Sequence, residues 1–197
     1  METILCSLLL SAAQDTGFAT SSSSWYFTTN VFFEEAQLKN SATSNVIDFN
    51  DEAALSFGIG TLASDVLTIE AHYQTNELSE SIANDPLGVR GTRDFEYEQF
   101  GLTLGYEVEA TEKLSFFPRF GVARTNWDVN IEDGFFNGGA NPILNEDGTD
   151  WSWKYGFDVK YNVGDLSVFA GYMFQQGEFG PVEFDSQGLL FGASITF

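Results

Sequence analysis

The chain has a single histidine, His72, set between Glu70 and Gln74 at alternating positions. On a strand those three side chains share one face. An imidazole works as a general base near neutral pH when a serine or carboxylate stands within hydrogen-bonding reach. The residues that follow, Tyr73, Gln74 and Thr75, supply no serine, so an interior histidine held by its neighbours is the stronger reading. A second set of residues offers ionic chemistry instead: Glu70, Glu107, Arg119, Asp158 and Lys160. Counted up from the short turns described below, they fall within a few rungs of one another on neighbouring strands. Buried charges are tolerated only when paired and hydrogen-bonded. Arg119 and Lys160 are therefore expected to pair with Glu70, Glu107 or Asp158. Such a cluster plugs a narrow interior, or gates it if the pairs rearrange.

Weaker signals lie elsewhere. Asn145-Glu146-Asp147-Gly148-Thr149-Asp150 places oxygen ligands near a glycine but lacks the spacing and closing glutamate of an EF-hand loop, and it reads as a turn. Glu34-Glu35, Asp51-Glu52 and Glu132-Asp133 read as solvated rims, with at most loose association of Ca²⁺ or Mg²⁺. No catalytic centre, no metal site and no cofactor is expected.

Eight alternating segments must position these residues, joined by connections that are alternately short and long. They run over about 24–38, 51–62, 66–76, 93–109, 113–128, 150–163, 166–176 and 188–197. Tight turns fall at Ala63-Ser64-Asp65, Ala110-Thr111-Glu112 and Gly164-Asp165. The long connections are 39–50, 77–92, 129–149 and a stretch containing Gly177, Gly180 and Pro181. In the last segment Leu189, Phe191, Ala193, Ile195 and Phe197 form one apolar face, and Leu190, Gly192, Ser194 and Thr196 form the other. A period of two over that length describes a strand able to cross a bilayer when tilted. The sixth segment sets Trp151, Trp153, Tyr155, Phe157, Val159, Tyr161 and Val163 opposite Ser152, Lys154, Gly156, Asp158, Lys160 and Asn162. Aromatics at both ends of the apolar face match the interfacial girdles of a membrane barrel.

Glycine decides which face is outside. Gly58, Gly60, Gly101, Gly105, Gly121, Gly156, Gly171 and Gly192 fall opposite the apolar face. Glycine weakens a strand and needs a steric reason to be there. The interior of an eight-stranded barrel is barely wide enough for side chains, so the glycine face is the lumen and the apolar face meets lipid. On that register Arg124 and Pro118 point outward. Arg124 falls near the outer interface, where a guanidinium meets lipopolysaccharide phosphate. Pro118 removes a ladder donor and suggests a local bulge.

Composition agrees. The 29 Asp+Glu against 8 Lys+Arg argue against binding nucleic acid through phosphate contacts. With 20 Phe, 7 Tyr and 4 Trp the chain is too aromatic to be a disordered acidic segment. No apolar run reaches the length of a transmembrane helix, which leaves barrels untouched. The lone cysteine, Cys6, permits no internal disulfide. It lies in the apolar stretch Ile4 to Ala13, and Gly17-Phe18-Ala19 ends that stretch with small residues. Residues 1–19 read as a signal peptide, although Glu2 stands where a basic residue is usual. Residues 20–197 then form one domain.

Signal-like start, eight alternating strands, alternating connections and the final Phe197 together resemble the small outer-membrane β-barrel family of the OmpA transmembrane domain, the OmpX-type proteins and the opacity-type surface antigens. The resemblance spans about Ser24 to Phe197. It implies an all-β, eight-stranded antiparallel up-and-down transmembrane barrel, monomeric, in the outer membrane of a Gram-negative bacterium among lipid and lipopolysaccharide. It also implies that the strand ending in Phe197 is read by the barrel-assembly machinery. The expected role is structural or adhesion-like, with a lumen closed by polar residues and loops 77–92 and 129–149 meeting an extracellular partner. A narrow pore for small solutes is the alternative. A lipid A-modifying enzyme fits less well, because His72 faces inward, and a soluble lipocalin-like carrier would need an apolar lumen.

Overall fold

The structure, a computed structural model, describes residues 24–64, 66–82, 91–132 and 144–197. The signal-like segment lies outside them, as do Phe135, Phe136, Pro142 and Ile143, which give the expected connection 129–149 its apolar character. The alternating segments form β1 (Trp25–Asn40), β2 (Val46–Leu62), β3 (Leu67–Ile82), β4 (Gly91–Tyr106), β5 (Val108–Glu109), β6 (Leu114–Ile131), β7 (Leu144–Val163), β8 (Leu166–Phe179) and β9 (Val182–Thr196). The short β5 continues β4 beyond Glu107 and pairs with the same neighbour, β6, so the two make one barrel strand. All pairings are antiparallel, and β9 closes on β1 from Tyr26–Thr196 to Asn40–Val182. At the seam the Phe197 N–H donates to the Trp25 carbonyl at 2.8 Å, and the Trp25 N–H donates back at 3.3 Å. The result is an eight-stranded up-and-down barrel. Followed around from Asn30, the ladder reaches β6 at Thr125 in one direction and at Ser115 in the other. That ten-residue stagger over eight strands tilts them by about 40°.

The strands are longer than expected. Apart from the two-residue β5 they run from 14 to 20 residues, against about 9–11 for a membrane crossing. Strand β2 absorbs the end of the expected connection 39–50. Strands β3 and β4 take both ends of 77–92, and β6 and β7 take both ends of 129–149. The stretch around Gly177 contracts to a turn at Gly180, whose φ is 53°. Asn145 to Asp150 is strand rather than turn, paired with 125–130 of β6. Pro118 causes no bulge: the β4–β6 ladder skips two rungs between Gly105–Arg119 and Val108–Phe116 and resumes in the same register.

Alternation of polarity does not mark these extensions, because polarity inverts along the strands while the inward and outward parity continues. In the lower part the outward residues are apolar, among them Phe57, Phe100, Phe120, Trp153 and Phe191. In the upper part Leu38, Leu78, Phe95, Val129 and Phe184 point inward and are buried, while Glu77, Glu96, Asp128 and Asp147 point outward and are exposed. Lipid surrounds the lower barrel, so apolar side chains belong outside there. Water surrounds the upper part, and its apolar residues turn inward as in a soluble protein.

The upper part also divides. Strands β2 and β3 pair only up to Leu55–Thr75, and β7 and β8 only up to Ser152–Gly177. Above those rungs one sheet of β3, β4, β6 and β7 faces another of β8, β9, β1 and β2. On one side β8 ends at Phe179. On the other, Asn76 ends the ladder: its Oδ1 accepts the Glu77 N–H at 2.9 Å and its Nδ2 donates to Glu34 at 2.6 Å. A β-bulge in β2, opposite Glu34 and Ala36, bends that strand away as well. Between the sheets, Phe95 lies 5.8 Å from Phe179 and 5.3 Å from Phe184, and Trp127 lies 6.2 Å from Phe179. Such ring pairs add about 0.5–1.5 kcal/mol each beyond their area.

Candidate functional site

The lumen is filled in three storeys. At the bottom, Lys160 Nζ reaches Glu107 at 3.5 Å, and Ser115 Oγ donates to the other Glu107 oxygen at 2.5 Å. Above them Arg119 forms an ion pair with Asp158, both carried by lumen-facing positions of β6 and β7. Glu70 is drawn to Arg119 electrostatically and lies within hydrogen-bonding reach of the Tyr26 hydroxyl. The five residues therefore form two levels: Lys160 with Glu107 below, Arg119 with Asp158 and Glu70 above. Aromatic rings close the space around them. Phe117 faces Lys160 at 4.6 Å and Arg119 at 5.5 Å, and Phe169 covers Arg119 from 5.7 Å. The glycines make room for these rings. A Cβ at Gly105 would overlap the Phe117 ring, and one at Gly192 would overlap Phe169.

The middle storey is a polar chain that spacing did not reveal. Glu34, fully buried, accepts from Tyr97 Oη at 2.7 Å as well as from Asn76. Gln74 Nε2 donates to Tyr97 Oη at 2.9 Å, and Lys154 Nζ donates to Gln74 Oε1 at 2.7 Å. A buried anion and a buried cation are thus joined through two neutral groups. Glu34 was expected at a solvated rim with Glu35. The strand runs on past the membrane, so its even positions continue to face inward. The one available signal was parity, since Glu34 keeps step with Thr28, Asn30 and Phe32. His72 also faces the lumen, 5% exposed, with Nδ1 3.2 Å from Thr103 Oγ1. The top storey is the aromatic core between the two sheets. The expected polar closure is therefore only part of the filling, because the upper lumen is apolar.

The outer surface has three zones. Lipid-facing residues of the terminal strand stay exposed, with Leu189 at 52%, Phe191 at 46%, Ile195 at 51% and Phe197 at 73%, and Ala193 is half-buried beside them. Arg124 stands exposed on β6 between Phe100 and Trp151 on the flanking strands. Higher still, Glu77, Glu96, Asp128 and Asp147 are direct cross-strand neighbours in one row. Among the described residues no group of His, Cys, Asp or Glu is arranged to hold a metal ion.

A closed barrel with a lipid-facing apolar belt, a filled lumen and long projecting strands has a counterpart among known families. Residues 3–197 match the family model described as outer membrane protein beta-barrel domain. The chain belongs to this family. It therefore resides in the bacterial outer membrane, in lipid with lipopolysaccharide. Among solved structures, Neisserial surface protein A shares the fold at 14% identity and a TM-score of 0.63, over 88% of this chain and 97% of that one. Ail, the attachment invasion locus protein of Yersinia pestis, does so at 11% identity and a TM-score of 0.50, over 90% of this chain and 100% of that one. Ail also appears in complex with the heparin analogue sucrose octasulfate, at 10% identity and the same TM-score of 0.50, with coverage of 90% and 100%. At these identities the likeness concerns the fold. No curated protein matches the sequence.

Proposed function

We propose that this outer-membrane barrel is a closed platform that presents an acidic two-sheet head to an extracellular partner. The observation that carries the reading is the filling of the lumen, from the Lys160–Glu107 pair through the Glu34–Lys154 chain to the packed rings of Phe95, Phe179 and Phe184. A conducting barrel needs a continuous polar channel, and the apolar storey interrupts one. The contact surface is the outer face of the projecting strands together with the loops that join them, in place of loops 77–92 and 129–149 alone. Arg124 anchors the barrel on lipid phosphate at the girdle of Trp151 and Phe100. Phe197 serves recognition by the assembly machinery. His72, held against Thr103 inside the lumen, gives no support to a reaction on lipid.

The charge of the head bears on its partner. Ail is seen with a sulfated polyanion, but here the row Glu77, Glu96, Asp128, Asp147 repels one. A heparin column should let the protein pass. Planar-bilayer recording tests the platform itself: the expected result is no unitary conductance, unchanged by Arg119→Ala. Stable conductance steps that Arg119→Ala alters would establish the pore reading instead.

A further inference from the structure

We propose that the fork between β2 and β3 docks an extended, lysine- or arginine-rich peptide segment, which adds as a strand to the open edge above Leu55 and Thr75. The proposal rests on the head being the contact surface and names the partner's chemistry.

Three observations converge on the fork. Both strands continue well past their last shared rung, β2 to Val46 and β3 to Ile82. Each is held on its other side, by β1 and by β4, so beyond the Glu77 N–H, which Asn76 caps, each offers a rigid edge of backbone donors and acceptors, as strand addition requires. A groove of about 600 Å³ opens at this place, within the size range of ligand sites. Its walls carry Glu52, Glu77, Glu96, Glu98 and Asp128, and no lysine or arginine lines it.

The register explains why a cationic strand suits the groove. Glu77 stands directly opposite Glu96, and Glu96 directly opposite Asp128. Like charges in that relation destabilise a sheet, and basic side chains laid over the row relieve the repulsion. Basic residues at alternate positions of an added strand face these carboxylates, while the residues between them face the gap between the sheets. A second copy of the chain, with a net charge of -21, brings acid to acid and is excluded. The fork between β7 and β8 is already occupied. There Asp150 Oδ2 accepts from Trp127 Nε1 at 3.0 Å and from the Gly180 N–H at 3.3 Å.

The test uses the full chain in nanodiscs of neutral phosphatidylcholine and fluorescent octapeptides of alternating Lys and Val, alternating Glu and Val, and the Lys/Val peptide N-methylated at alternate amides. The Lys/Val peptide should bind about tenfold or more tighter than either other peptide, and added salt should weaken it. The double substitution Glu77→Gln with Glu96→Gln should weaken it by about tenfold, once heat-modifiable mobility confirms a folded barrel. Hydrogen exchange in wild-type protein should slow at the Ser79 and Ser81 amides, which alternate toward the fork, when peptide is added. Equal binding of the N-methylated peptide, or no change in exchange, overturns strand addition. Absence of Lys/Val binding overturns the proposal whole. Conductance in the bilayer experiment would sink the platform reading and leave these peptide results standing.

Discussion

Replacing Glu34 by leucine isolates the buried chain that crosses the mid-lumen. Glu34 is fully buried and Lys154 is 4% exposed, with Tyr97 and Gln74 between them. Glu34→Leu leaves the ammonium without its counter-charge, which costs about 3–5 kcal/mol for a buried pair. It also strips the acceptor from Asn76 Nδ2, adding about 1–3 kcal/mol if that donor stays dry. Removing the cation as well, in Glu34→Leu with Lys154→Met, replaces both charges by apolar groups of similar size. Such replacements are often neutral or stabilising, so the double variant should lie within about 2 kcal/mol of wild type. The coupling energy should then exceed about 2 kcal/mol, well beyond the scatter of independent sites. Reversible urea unfolding in lipid vesicles, followed by tryptophan emission and by gel mobility, reads all four corners of the cycle. Additive losses would refute the coupling, since Glu34 and Lys154 would then be acting separately. A Glu34→Leu loss below about 1 kcal/mol would refute it too, by showing that water enters and screens the charge.

Other consequences can be checked the same way. Gly105→Ala forces a methyl into the Phe117 ring and should destabilise by about 1–3 kcal/mol; adding Phe117→Leu should recover part of that loss. Asp150→Ala removes the acceptor shared by Trp127 and Gly180 and should cost about 1–3 kcal/mol, with faster hydrogen exchange confined to the β8–β9 turn. Arg124→Glu should lower the lipopolysaccharide that copurifies with the barrel while leaving the unfolding midpoint in neutral lipid unchanged. Deleting Phe197 should reduce assembly in cells far more than refolding in vitro, where only the closing bonds to Trp25 are lost.

Much of the lower barrel is legible in the sequence. Alternation in Trp151 to Val163 and in Leu189 to Phe197 identifies strands, and lipid imposes that pattern on each strand independently of its neighbours. The glycines opposite the apolar face assign inside and outside, because a narrow lumen punishes side chains wherever rings such as Phe117 and Phe169 must lie flat. Charge identity limits the ion pairs to a few partners, since Arg119 and Lys160 have only Glu70, Glu107 and Asp158 near them at matching heights.

Tertiary structure alone decided the rest. Leu38, Leu78 and Phe95 sit at inward positions among polar and charged neighbours, so each upper strand read by itself looks like a polar loop. Only when eight strands converge do those residues meet across the axis and exclude water. Glu34 likewise becomes the partner of Lys154 only through the stagger of the ladder, which lifts β3 and β4 relative to β1 and brings Gln74, Asn76 and Tyr97 to its level. The fork depends on where two ladders stop, a property of paired strands that no single strand carries. Which residues face lipid follows from the alternation along each strand, because the solvent acts on one strand at a time. The structure decided which buried residues meet, because those contacts require the closed barrel.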